Sequence, residues 1–327
     1  MTTRLCNAAI ASDIWRWANA YKVSAAIFAL DRAGVLPLLQ KGWEIGDLAR
    51  ATGVEKSSLA ILLALMEKGG MLERDGKQVA LSGEGRRLFP LVVLESALNH
   101  EWPLVDRMVK VLRGAPGHDY MDAETGPAFV EKYCKAMEVN ANALSPRIAR
   151  ELRRAAVCKV VDLGGADGAM MERLFHLGAA VEGVVIDRSI MHAAFNNRFR
   201  GTDSPIQFIP ADLRDVDRLA PFLGDADAVI ISNVLHMMSL SCVERLVACA
   251  AGAATAGSAI YIYDLFDAGE AVFDTASIMT VDWMLQGTGF MMTTEEMALL
   301  MQNAGFEIQT RSSWPGLPGT LIIGRKQ

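Results

Sequence analysis

Positive charge is in short supply. The chain carries 32 Lys and Arg against 38 Asp and Glu, a net charge of −6, and no dense basic run interrupts that balance. Such a surface argues against nucleic acid and against an anionic membrane as partners, leaving small molecules and other protein chains. Paired cysteines are missing too. Cys6, Cys134, Cys158, Cys242 and Cys249 show neither CxxC pairing nor zinc spacing, so no metal is expected and buried thiols in a reduced cytoplasmic interior are the better reading. The N-terminus MTTRLCNAAIASD carries an acid too early for a signal peptide, and no internal repeat or low-complexity tract stands out. Long apolar runs are scarce. The uncharged stretch Leu246–Tyr263, LVACAAGAATAGSAIYIY, reaches the length of a membrane span. Its middle is Gly, Ala, Thr and Ser, with Gly252 and Gly257 placed like a helix end and a turn, so it reads as a helix ending, a loop and a buried strand.

What is present suits two globular domains: 327 residues, 51% hydrophobic and 21% charged. Three pieces are expected, namely 1–105, linker helices over 106–150, and 151–327, with the main division near residue 150. In the first piece, residues 44–89 read helix, turn, helix and then a hairpin about Asp75 and Gly76, the pattern of a winged helix. The helix that would read DNA, Ser57 to Lys68, is SSLAILLALMEK, apolar over most of its circumference, which favours burial and dimerisation over DNA binding. The preceding helix carries Ile14, Trp15, Trp17, Ala26, Ile27 and Leu30, more apolar surface than one small domain covers, and a homodimer is expected. Two further helices are read around Trp102–Leu112 and Ala128–Leu152.

Beyond residue 150 strands and helices alternate. KVVDLG, VEGVVID, IQFIPAD, DAVIISNVLH and AIYIYDLF are apolar, β-branched runs separated by helical patterns, the signature of an α/β fold with a doubly wound, Rossmann-like parallel sheet. Each run leaves a polar residue at or just past its carboxyl end: Asp162, Asp187, Asp212, His236 and Asp264. Ligands of such sheets sit beyond those ends, so the five are expected in one crevice.

The first run continues as KVVDLGGADGAMMERL, a strand, a tight turn rich in glycine and the start of a helix. A dinucleotide site would read G-x-G-x-x-G, and Ala166 breaks that spacing. Asp162, Gly164, Gly165 and Gly168, followed by Asp187, suit a ligand with a ribose but no pyrophosphate. Asp187 accepts from ribose hydroxyls, Asp212 meets an adenine amino group, and Asp162 with the turn amides holds an amino-acid zwitterion. That ligand is S-adenosylmethionine.

Together with SNVLH and MTTEEMALLMQNAGFE, these motifs make nearly the whole chain resemble the class I S-adenosylmethionine-dependent small-molecule O-methyltransferases, which include caffeate and acetylserotonin enzymes and bacterial tailoring enzymes of secondary metabolism. The resemblance implies an entwined dimerisation domain and a catalytic His at His236, with its partner acid at Asp264. Through GVVIDR, PADL and SNVLH it extends the cofactor set to Arg188, Leu213, Ser232 and Asn233. Departures exist: Met237 and Met238 follow the His where the family has Asp-Trp, and Met291 stands where the family has an acid that orients the base. Met137, Asn140, Met237, Asp282, Trp283, Phe290 and Met291 are the candidate substrate contacts, and a lining rich in methionine suits a flat, largely apolar aromatic or polyketide-like acceptor. The alternatives are methylation at carbon or nitrogen, a reaction in which the cofactor lends only its positive charge, favoured by Met291, and a ligand-sensing winged-helix regulator.

Overall fold

The structure is a computed structural model and describes residues 13–101, 103–119, 121–122, 125–179, 182–266, 275–288, 292–314 and 317–327. Phe290 and Met291 lie outside the described residues, as do the side chains of Ile14, Trp15 and Trp17. The chain divides into two compact units, one ending at Pro103 and one beginning at Leu104.

The first unit runs α1 (Asp13–Arg32), α2 (Val35–Leu38), β1 (Trp43–Glu44), α3 (Ile45–Thr52), α4 (Lys56–Lys68), β2 (Leu72–Asp75), β3 (Gln78–Leu81) and α5 (Gly83–Glu101). The strands pair antiparallel in the order β1-β3-β2. Glu55 starts α4 by accepting from the Ser57 and Ser58 backbone N–H groups at 2.9 and 2.7 Å, satisfying donors that a helix start leaves free. Leu36, Leu48, Leu63, Val79 and Leu81 are fully buried in its core. Leu59, Leu63 and Met66 point inward while Ile61 is 70% exposed, because the small unit packs against one face of the helix only.

The second unit comprises α6 (Leu104–Leu112), α7 (Pro127–Arg154), β4 (Lys159–Leu163), α8 (Ala169–His176), β5 (Glu182–Asp187), α9 (His192–Arg198), β6 (Ile206–Pro210), α10 (Ala220–Leu223), β7 (Ala228–Ser232), α11 (Leu240–Ala253), β8 (Ala259–Asp264), α12 (Thr275–Gln286), α13 (Thr294–Asn303), β9 (Phe306–Ser313) and β10 (Thr320–Lys326). Among the described residues seven strands form one sheet in the order β6-β5-β4-β7-β8-β10-β9. The five expected strands are parallel, and β10 lies antiparallel between β8 and β9. Successive residues of β4 point to opposite faces. Val161 joins a core with Ile231, Val243 and Met301, and Val160 joins one with Leu144, Leu174 and Tyr261. Helix α7 belongs to this unit, and no break falls near residue 150: it runs unbroken to Arg154 and buries Leu144, Ile148 and Leu152 in that second core. The uncharged stretch 246–263 is shared between α11 and β8, and among the described residues no helix is long and apolar enough to cross a membrane. Chain order reverses between β4 and β7, which places a ligand crevice at their carboxyl ends.

Candidate active site

The glycines after β4 are there for space. Gly164 adopts φ +80°, and a Cβ on it would meet Val234 Cγ2 at 2.7 Å; one on Gly165 would sit 2.5 Å from Asp162 Oδ2. Ala166 keeps a left-handed φ of 50° despite its side chain, and its N–H donates to Asp187 Oδ2 at 2.7 Å. Asp187 Oδ1 accepts from the Arg188 N–H at 2.7 Å, so the acid that ends β5 clamps the turn that ends β4. Burial raises the Asp187 pKa against these two bonds. Gly168 does not line the crevice. Its missing Cβ makes room for Phe195 and Phe199, and it caps α8 with φ +84°.

Two cavities share Tyr133, Gly164 and Asn233. The larger is lined by Asp187, Arg188, Asp212, Leu213, Met237 and Gln286, among others. The second is lined by Asp162, Gly165, Asp167, Ser232, Met137 and Asn140. Met137 and Asn140, expected on the substrate side, therefore lie beside the glycine turn, because α7 packs on α8 and presents Tyr133, Met137 and Asn140 on one face. Asp162 is 2% exposed, and among the described residues its Oδ2 has no hydrogen-bond partner. Burial, helped by the charge of Asp187, pushes its pKa up to about 7.

The polar lining residues Asp119, Tyr133, Arg214 and Gln286 were not among those expected from the sequence. Asp119 Oδ2 accepts from Arg188 Nη1 at 2.6 Å and its Oδ1 from the Met121 N–H at 2.9 Å; burial works against them, but these bonds hold its carboxyl below the usual range. Arg214 Nε donates to Asp212 Oδ1 at 2.9 Å and lowers that pKa. Arg214 sits two residues after Asp212, and Tyr133 shares a helix face with Met137 and Asn140, so both were within reach of spacing arguments. Asp119 lies in a loop whose composition says only that it is a loop.

His236 lies in a 3-10 turn after β7, opposite Asp264 at the end of β8. Asp264, 2% exposed, accepts the Leu235 N–H at 2.9 Å on Oδ2 and the Leu265 N–H at 2.8 Å on Oδ1. His236 Nδ1 lies 2.7 Å from Oδ1. A carboxylate held by backbone donors can only accept here, so Nδ1–H donates, and in the neutral imidazole of that tautomer Nε2 is the acceptor. Trp283, 1% exposed, stacks on the imidazole with centroids 4.6 Å apart and planes 19° apart. His236, Asp264 and Trp283 line a third, smaller cavity with Phe266 and Met292, while Met237 faces the larger one. The single crevice expected from the sequence is thus corrected: His236 and Asp264 line a space that shares no lining residue with the two that hold Asp162, Asp187 and Asp212, because the tight turn Leu235–Met237 sends neighbouring side chains to different sides. Asp282 lines none of them and stands 3.9 Å from Arg107 Nη2.

This donor and acceptor set fits an adenosyl amino acid. The carboxylates supply acceptors for hydroxyls and an ammonium, the close-packed glycines admit a ligand against the backbone, and the arginines lining the larger cavity are already paired with Asp119 and Asp212 instead of waiting for phosphates. A family model described as an O-methyltransferase domain matches residues 106–307. The chain belongs to that family. This S-adenosylmethionine-dependent methyltransferase is 23% identical to the tetracenomycin polyketide synthesis 8-O-methyl transferase TcmO of Streptomyces glaucescens, over 96% of each chain. It is 24% identical to the N,N-dimethyltransferase OxyT of Streptomyces rimosus, over 98% of each. Human N-acetylserotonin methyltransferase, solved in complex with SAM, shares the fold with a TM-score of 0.77 at 18% identity, covering 96% of both chains.

Proposed function

We propose that the methyltransferase methylates a hydroxyl of a small, flat, largely apolar aromatic or polyketide-like metabolite, with His236 as general base. The observation that carries this reading is the imidazole bonded to Asp264 at 2.7 Å and stacked on Trp283, which leaves Nε2 as the proton acceptor. When bound, S-adenosylmethionine supplies a methyl group activated by a sulfonium charge. Asp187 receives the ribose hydroxyls, Asp212 the adenine amino group, and Asp162 with the glycine-turn amides the amino-acid end. Arg188, Leu213, Ser232 and Asn233 complete that wall. Asp264 fixes the tautomer and orientation of His236 and stabilises the imidazolium formed when the acceptor hydroxyl loses its proton. Trp283 holds the ring plane, and Met237 gives an adaptable apolar surface toward the cofactor cavity.

The test is His236→Ala. Turnover should fall by about 10² to 10⁴ while affinity for the demethylated cofactor stays within about twofold, since general-base catalysis is lost and the adenosyl contacts lie elsewhere. A variant that keeps its rate would remove the base role. A second reading, methylation at nitrogen, is favoured by the likeness to OxyT; a nucleophilic amine needs no base, and the same variant then changes mainly acceptor affinity.

The enzyme is proposed to work as a cytoplasmic homodimer whose winged-helix first unit supplies the interface. Ile61 at 70% exposure and Tyr21 at 65% leave that unit apolar surface to cover. Light scattering should report a dimer at micromolar concentration, and a well-folded monomer would refute it.

A further inference from the structure

The second cavity holds an acid that the reaction above leaves without a task. Asp167 stands in the glycine turn between Ala166 and Gly168, is 5% exposed, and lines that cavity together with Asp162. Its two oxygens are differently placed. Oδ2 accepts from Arg198 Nε at 2.9 Å and lies 2.8 Å from Nη2, a forked pairing that holds the carboxyl group in one orientation. Oδ1 is buried and has no hydrogen-bond partner among the described residues, and the same is true of Asp162 Oδ2. Two unmet carboxyl oxygens on one cavity are costly in a protein interior, and a ligand group with more than one N–H completes both.

Arg198 is fully engaged in holding this turn. From the end of α9 its Nη1 donates to Glu172 Oε2 of α8 at 2.7 Å and its Nη2 to Glu138 Oε2 of α7 at 2.9 Å. One guanidinium thus faces three carboxyl groups, so it orients Asp167 without balancing the acids around it. The described lining of the cavity includes neither Arg198, Glu138 nor Glu172, and no Lys, Arg or His at all. Besides the two acids its polar side chains are those of Tyr133, Asn140, Ser232 and Asn233, which are neutral. A cation placed there meets two carboxyl oxygens, whereas an anion meets no cationic side chain and two acids that repel it.

We propose that Asp167, held in place by Arg198, is a second ammonium acceptor beside Asp162, and that this pair makes the cofactor site recognise the ammonium of the amino-acid end and disregard its carboxylate. The inference rests on the reading that the amino-acid end lies at the glycine turn, and deepens it. Asp167 touches the cofactor; Arg198 acts only through Asp167 and is a positioning residue. The ligand class that follows is an adenosine thioether whose chain ends in an amine, with or without a carboxylate.

The test uses three adenosine 5′-thioethers: the 3-aminopropyl compound, which is S-adenosylhomocysteine without its carboxylate, the 3-carboxypropyl compound, which is the same molecule without its amine, and 5′-methylthioadenosine, which has neither group. Binding to the full-length enzyme is measured by calorimetry, with S-adenosylhomocysteine as the reference. The wild type should bind the aminopropyl compound at least tenfold more tightly than the carboxypropyl compound, and within fivefold of S-adenosylhomocysteine. Asp167→Asn should cut that preference at least fivefold and Arg198→Lys should cut it in part, while 5′-methylthioadenosine affinity stays within twofold in both. Glu172→Gln, which removes an Arg198 contact away from the cavity, should keep the preference. A general loosening of the turn would weaken all the ligands alike and leave their ratio unmoved. A wild type without the preference, or a preference untouched by Asp167→Asn, overturns the role of Asp167. Asp162→Asn then separates that failure from a failure of the underlying reading: weaker S-adenosylhomocysteine binding keeps the amino-acid end at the glycine turn, and unchanged binding in both variants removes it from there and this inference with it. The wild-type comparison decides even if Asp167→Asn does not fold.

Discussion

The buried Asp162 carboxyl makes cofactor affinity depend on pH in a calculable way. Its pKa in the ligand-free enzyme is pushed up to about 7, and its Oδ2 has no partner among the described residues, so near neutrality the group is close to half protonated. An ammonium is received by the carboxylate and not by the neutral acid. Between pH 5.5 and pH 7 the ionised fraction rises from about 3% to about 50% for a group titrating at about 7, and affinity should rise about fifteenfold with it, while the cofactor's α-amino group, more basic than a peptide N-terminus, stays charged. Calorimetry with S-adenosylhomocysteine across that range is the assay. Asp162→Asn should bind weakly and with no such slope. A flat profile in the wild type would refute the assignment. Stability of the ligand-free enzyme should move the opposite way. The folded state holds a proton that the unfolded chain releases at its ordinary value of 3.8, so this group's contribution falls as pH rises from about 4 to about 7, and Asp162→Asn should flatten that part of the melting-temperature profile.

Gly165→Ala places a Cβ 2.5 Å from Asp162 Oδ2 and should weaken S-adenosylhomocysteine binding by tenfold or more, read by the same calorimetry. Asp187→Ala removes an acceptor proposed for the ribose and also frees the Ala166 and Arg188 N–H groups; affinity should fall by about 10- to 100-fold, and an unchanged dissociation constant would place the ribose elsewhere. Asp264→Asn leaves the fold in place but puts an amide where His236 requires a carboxylate, and steady-state kinetics should show kcat falling by about 10² or more with little change in cofactor affinity.

The parallel strands were legible because KVVDL, EGVVID and AVIIS are buried on both faces and so read as continuous apolar runs. Strands β9 and β10 were not, since FEIQTRSS alternates buried and exposed residues and follows a helix without a glycine-rich signal like that after β4. Strand-end acids announced Asp162, Asp187 and Asp212 by position. Asp119 was silent because it matters through a partner far along the chain, Arg188, and a pairing of that range leaves no local pattern. Asp264, which the resemblance implied as the partner of His236, lies 2.7 Å from its Nδ1, a pairing that the 28-residue spacing made conceivable but did not fix.

In the proposed reaction this enzyme moves a methyl group to a hydroxyl with His236 taking the proton. The most direct measurement follows product mass from S-adenosylmethionine carrying a deuterated methyl group and 1-hydroxyanthraquinone, with wild type and His236→Ala run side by side. The product should bear one labelled methyl on oxygen and be formed by the variant at least a hundredfold more slowly. An unlabelled product would contradict methyl transfer, and a labelled one formed equally fast by both enzymes would contradict the role of His236.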